Sequence, residues 1–128
     1  MVTQTTQGVK ISVETTFQPE YSNPENDHFM FVYKINIENL TDYSLQLLSR
    51  HWFIFDSNGS HREVDGEGVV GLQPVIEPGS FHEYVSGCNL KTEIGSMKGF
   101  YSMKRLADED IFEVEIPSFQ LISPYKLN

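Results

Sequence analysis

Apolar residues recur at every second position along most of this chain. Val9, Ile11 and Val13 alternate with Lys10, Ser12 and Glu14, which predicts a strand with one buried face. After a polar stretch from Pro19 to Asp27, the same period returns at Phe29, Phe31, Tyr33, Ile35 and Ile37. The opposite face of that strand begins apolar with Met30 and Val32 and turns polar at Lys34, Asn36 and Glu38. Asn39 to Asp42 reads as a turn, and Tyr43 to Asp56 as another long extended segment. Leu47 and Leu48 side by side predict that the alternation slips there through a β-bulge. Further strands are expected at Phe81 to Ser86, Ser96 to Lys104 and Ile111 to Ile116. Pro117 interrupts the last of these before Phe119 and Leu121 resume the pattern, which predicts an edge strand or a bulge.

Turn residues punctuate these runs. Asn58-Gly59 predicts a two-residue type I′ hairpin, because both positions accept positive φ. Pro78-Gly79 predicts a second tight turn, Pro presetting φ and Gly supplying the left-handed position. The best helical window, Met103 to Asp110, is short, has no apolar stripe and closes a turn. Seven or eight short strands with regular turn signals predict an all-β sandwich or barrel. No repeat, linker or low-complexity tract divides residues 1–128, so one domain is expected.

Composition narrows the function more by exclusion than by assignment. Nine Phe and six Tyr supply ample apolar area for a core and exclude a disordered chain. The single cysteine, Cys88, cannot form an internal disulfide and reads as a small buried residue. The first residues carry no basic and then apolar leader, and the longest apolar run, Phe29 to Tyr33, is far too short to span a membrane. A cytoplasmic protein with no membrane insertion is expected. Nine basic against eighteen acidic residues give a net charge of −9, which repels nucleic acid and suits cationic partners or metal ions. Only Lys104-Arg105 places two basic residues together, so no nucleic-acid footprint exists.

The stretch Asp65 to Gly71 reads D-G-E-G-V-V-G and contains the spelling G-x-G-x-x-G. A dinucleotide-binding turn needs a helix starting at the glycines. Pro74 and Pro78-Gly79 forbid one here. A kinase-type loop needs a following lysine and a separate catalytic loop, and neither is present. Two readings of Gly66, Gly68 and Gly71 remain: tight β-structure, or a nest of backbone amides holding phosphate or pyrophosphate. Glu63, Asp65 and Glu67 surround the loop with negative charge.

For metals, the histidines His28, His51, His61 and His82 are candidates together with that acidic triplet. Glu63, Asp65 and Glu67 fall on one face of a strand and offer the ligands that hard cations prefer. His61 is the imidazole nearest in sequence, and a two-residue turn at Asn58-Gly59 would set it opposite Asp56. No paired cysteine or histidine motif supports a structural zinc site. Cys88, His82 and Asn89 are too weak a set for nucleophilic catalysis. Trp52 lies in an apolar strand and reads as core.

Beyond the glycines, Val69-Val70-Gly71-Leu72-Gln73-Pro74 is followed by Pro78-Gly79, Tyr84-Val85-Ser86-Gly87, Gly95 to Tyr101 and Ile116-Pro117-Ser118-Phe119. In this order and spacing the chain resembles the ApaG family, whose pattern runs G-x-G-V-V-G-x-Q-P, P-G, Y-x-S-G, G-x-M-x-G-x-Y and I-P-x-F. Trp52 to Asp56 and Gly59 fit the family's upstream W-x-I-x-D and turn. Leu72, where a polar residue is common, and Ala107-Asp108-Glu109, without the usual turn glycine, depart from it. The resemblance implies a sandwich of the fibronectin type III and immunoglobulin kind, and a link to cobalt resistance and magnesium efflux in bacteria. It also implies frequent encoding beside a diadenosine tetraphosphate hydrolase, and a protein-binding role where the domain occurs in eukaryotic F-box and polymerase-interacting proteins. The family's glycine motif has been regarded as a pyrophosphate loop, and the family brings no established catalytic residues or cofactor. The combined expectation is a non-catalytic binding or regulatory module with a protein partner. The alternative is phosphate, pyrophosphate or nucleotide binding at Gly66, Gly68 and Gly71, with weak divalent cation binding at His61, Glu63, Asp65 and Glu67.

Overall fold

A computed structural model describes residues 1–127. Its strands are β1 (Val2–Thr6), β2 (Val9–Phe17), β3 (Phe29–Asn39), β4 (Leu45–Asp56), β5 (His61–Glu67), β6 (Val75–Ile76), β7 (Phe81–Leu90), β8 (Ile94–Arg105) and β9 (Asp110–Ile122). Short 3₁₀ turns occupy Pro19–Tyr21, Pro24–Asn26 and Pro124–Leu127. One antiparallel sheet has the order β1-β2-β3-β7, the other β5-β4-β8-β9, with β6 paired to the start of β4. The two sheets pack face to face as the expected sandwich. Residues marked by the alternation meet between them: Val9, Ile11, Phe31 and Ile35 from the first sheet, Trp52, Tyr101, Val114 and Leu121 from the second. Trp52 is 2% exposed and lies edge-on to Tyr33 at 5.4 Å and Phe119 at 5.8 Å between ring centroids. Cys88 is buried as well.

Among the described residues there are nine strands rather than seven or eight. The additions, β1 and β6, are short and carry little alternation of their own, so pairing with a neighbour makes them strands. β1 enters through a two-residue turn in which Gln7 and Gly8 both have positive φ, 48° and 81°, with Thr6 opposite Val9. That is the geometry a type I′ hairpin requires. Asn58-Gly59 does not adopt it. Only Gly59 has positive φ there, the Asp56 amide donates to the Ser60 carbonyl at 2.9 Å, and His61 pairs with Phe55 instead of Asp56. Two contacts explain the longer loop. The Asn58 side chain accepts the Ser60 amide at 2.9 Å, and Asp56 turns inward to accept the Lys91 amide at 2.8 Å and the Thr92 hydroxyl.

Two bulges set which side chains face outward. The β4–β8 register shifts between Leu47 and Ser49, as the paired leucines predict. Leu45 and Leu47 point into the core before the bulge, and Trp52 and Ile54 after it. The shift therefore turns His51, Phe53 and Phe55 to the outer face. The second shift, opposite Met97–Gly99, falls around Pro117 in the edge strand β9, where a proline need not donate to the ladder.

Candidate functional site

The outer face of the β5-β4-β8-β9 sheet is built in rows. Glu67, Ser49, Ser102 and Glu113 lie side by side, then Asp65, His51, Phe100 and Glu115, with Glu63, Phe53 and Lys98 next, and His61, Phe55, Ser96 and Gln120 last. Aromatic rings thus run along the centre, and carboxylates occupy both edge strands. Phe53 stands between two hollows. One, about 540 Å³, is lined by Phe55, His61, Glu63, Lys98 and Ser118 among others. The other, about 390 Å³, includes Gln4, Phe100, Glu113 and Glu115.

His51 organises the middle of this face. Its ring stacks on Phe100 at 5.1 Å with planes 7° apart, and Phe53 lies 4.7 Å away. Nδ1 contacts the Asp65 carboxylate, and Nε2 lies 3.2 Å from Glu63 Oε2. Carboxylates at both nitrogens favour the imidazolium, whose two N–H groups can both donate. The hydrogen bond to Asp65 is the main cause that raises the His51 pKa above its ordinary value.

Two carboxylates of the acidic triplet, Glu63 and Asp65, are accordingly brought to an imidazole, but it is His51 rather than His61. The register that pairs His61 with Phe55 leaves its ring edge-on to Phe55 at 4.8 Å. Glu67 lies two positions beyond Asp65, opposite Ser49. His82 is in β7, and His28 pairs with Asn23 just before β3, both away from this face. Among the described residues no three His, Cys, Asp or Glu side chains converge so as to hold a metal ion. The hairpin loop length sets His51 opposite Asp65, and alternation alone could not reveal that pairing.

The glycine stretch is a tight corner clamped to β4. Val69 and Leu72 exchange backbone hydrogen bonds of 2.8 and 3.0 Å around Val70 and Gly71, whose φ values are 47° and 77°. This is a type I′ turn. The Gly68 amide donates to the Leu48 carbonyl at the bulge at 2.8 Å, and the Gln73 side-chain amide donates to the same oxygen at 2.8 Å. A Cβ on Gly68 would lie 2.0 Å from the Leu72 carbonyl oxygen, so only glycine fits. Gly66 leaves room for the Arg50 guanidinium, which donates to the Glu67 and Gly68 carbonyls at 3.1 and 2.9 Å. The amides of Gly68, Val69 and Leu72 are thus engaged within the fold, and the adjacent cation is tied to backbone.

Inside the sandwich, burial raises the pKa values of Tyr33, Tyr84 and Tyr101, and the Tyr84 and Tyr101 hydroxyls hydrogen-bond to each other. Burial likewise pushes the Cys88 thiol up, which leaves it a poor nucleophile.

Comparison with known proteins agrees with this architecture. The family model described as the ApaG domain matches residues 19–105. A curated relative called Protein ApaG, from Anaeromyxobacter dehalogenans, is 46% identical over 128 residues and covers 100% of both chains. Another of that name, from Dechloromonas aromatica, is 47% identical over 120 residues, 94% of each chain. The crystal structure of an ApaA protein from Bordetella pertussis superposes with a TM-score of 0.87 at 40% identity, covering 91% of this chain and 94% of that one.

Proposed function

The chain belongs to the ApaG family, and we propose that it works without catalysis, as a protein-binding module that docks a cationic segment of a partner on the outer face of the β5-β4-β8-β9 sheet. One observation carries this reading: a central stripe of Phe53, Phe55, His51 and Phe100 is bordered on both edge strands by Glu63, Asp65, Glu67, Glu113 and Glu115. Aromatic faces beside carboxylates suit lysine and arginine, whose stems pack on rings while their charges reach the acidic rim. The net charge of −9 steers such a partner towards the protein at long range.

Two features support a role without catalysis. The Cys88 thiol is buried with its pKa raised, and both nitrogens of His51 are occupied by carboxylates. A link to magnesium or cobalt handling, which the family resemblance carries, then runs through the partner. Among the described residues no helix is long and apolar enough to cross a membrane. Phosphate binding at Gly66, Gly68 and Gly71 has less support, because the amides of Gly68, Val69 and Leu72 and the Arg50 guanidinium already serve the turn.

The test is affinity capture from the protein's own cells with wild type and with Phe53→Glu, both confirmed as folded. A partner retained by wild type and lost by Phe53→Glu supports the reading. Equal retention by the two proteins contradicts it.

A further inference from the structure

The open flank of the sandwich, where edge strand β5 faces edge strand β7, holds a cavity of about 230 Å³. Its floor is apolar, Ile54 and Leu90, which are 7% and 1% exposed. Arg62 and Lys91 bring positive charge to its rim, and His61 lines it as well. Alternation along β5 puts Arg62 on the inner side of the strand, while Glu63 and Asp65 point outward. The Arg62 guanidinium crosses between the sheets, with Nη2 donating to the Asn89 carbonyl and lying 3.5 Å from Cys88 Sγ.

Charge is unusual here. The protein has nine Lys and Arg against eighteen Asp and Glu, yet two of those cations and a histidine border one small cavity. Neither Arg62 nor Lys91 takes part in an ion pair among the described residues. The one carboxylate in the lining, Asp56, is 8% exposed and already accepts the Lys91 amide and the Thr92 hydroxyl. The remaining guanidinium N–H groups, the Lys91 ammonium and the Ser60 hydroxyl are donors beside an apolar floor. At about 230 Å³ the space is below the roughly 300 Å³ at which drug-sized sites begin.

We propose that this cleft binds a small oxyanion, a carboxylate or phosphate group carried on a compact apolar body. The oxyanion sits between Arg62 and Lys91, where charge-assisted hydrogen bonds are strongest, and the body rests on Ile54 and Leu90. Ile54, His61 and Arg62 also border the hollow beside Phe53 on the outer face, whereas Leu90 and Lys91 belong to this cleft and not to that hollow.

The experiment is an NMR titration of the full chain with phenyl phosphate, benzoate, inorganic phosphate and phenol. Saturable shifts of the His61, Arg62, Leu90 and Lys91 amides are expected with phenyl phosphate or benzoate, and whichever binds more tightly identifies the head group. Inorganic phosphate should bind more weakly at the same place, and phenol should not bind. Arg62→Gln should weaken binding about tenfold. If Arg62→Gln disturbs the fold, Lys91→Gln takes its place, because the structural contact of Lys91 to Asp56 is through its backbone amide. Silence with both aromatic anions, shifts centred on Gly68 to Leu72, equal binding of phenol, or affinity unchanged in folded Arg62→Gln and Lys91→Gln would overturn the proposal.

Discussion

Val70 is a β-branched residue held at φ 47° with 64% of its surface exposed, a backbone region that L side chains other than Asn and Asp rarely enter. Asn-Gly is the pair such a turn prefers, so Val70→Asn should stabilise the protein by roughly 1 kcal/mol. A rise in the urea midpoint at unchanged slope would register it, and a fall would show that Val70 is not strained. Gly68→Ala should act in the other direction and lose more than about 2 kcal/mol, since its Cβ meets a carbonyl that shapes the turn. His51 gives a prediction in pH. Its folded-state pKa is raised above 6.5, mainly by Asp65. The stability it contributes is therefore complete below the unfolded value and is lost as pH rises through the raised one. Denaturant melts from about pH 5 to pH 9 should show that loss in wild type and not in His51→Gln. A matching profile in the variant would mean that another group titrates.

Elements show where sequence reading succeeds and where it stops. β2, β3 and β9 were legible because each buries one face against the other sheet, so burial imprints period two on the residues. The bulge in β4 was legible from Leu47 and Leu48, two apolar neighbours that cannot both face inward from a regular strand. β1 was hidden, because Thr3, Gln4 and Thr5 carry no alternation and the Gln7-Gly8 turn lacks the usual Asn or Asp. The Asn58-Gly59 hairpin was misread because the preference of that dipeptide is local, whereas Asp56 is drawn inward by the distant Lys91–Thr92 turn. That one-residue difference sets Asp65 opposite His51, a pairing that left the centre of the candidate site unreadable without the structure. Asp56 ties the β4–β5 hairpin to the β7–β8 hairpin, so Asp56→Ala should cost about 2–3 kcal/mol in chemical denaturation. A loss under about 0.5 kcal/mol, the range of ordinary surface changes, would show that the two hairpins hold without it.

The whole molecule is a sandwich whose core joins both sheets through Trp52, set against Tyr33 and Phe119. Trp52→Ala should cost about 3–5 kcal/mol, read as a lowered denaturant midpoint; a value below about 1 kcal/mol would mean that the sheets pack without that ring. With the core fixed, charge differs by surface. Carboxylates rim the aromatic outer face, and cations line the β5–β7 flank. Binding on the outer face should weaken as salt rises, because exposed charges more than about 10 Å apart are screened at 0.1 M ionic strength. The most direct test of the binding-module account is the NMR footprint of a captured partner, purified and titrated into the labelled protein. The account predicts that shifts and broadening gather on His51, Phe53, Asp65, Phe100 and Glu115, and that Phe53→Glu removes them while leaving the spectrum folded. A footprint confined to Gly66 to Leu72, or one that Phe53→Glu leaves intact, would contradict it.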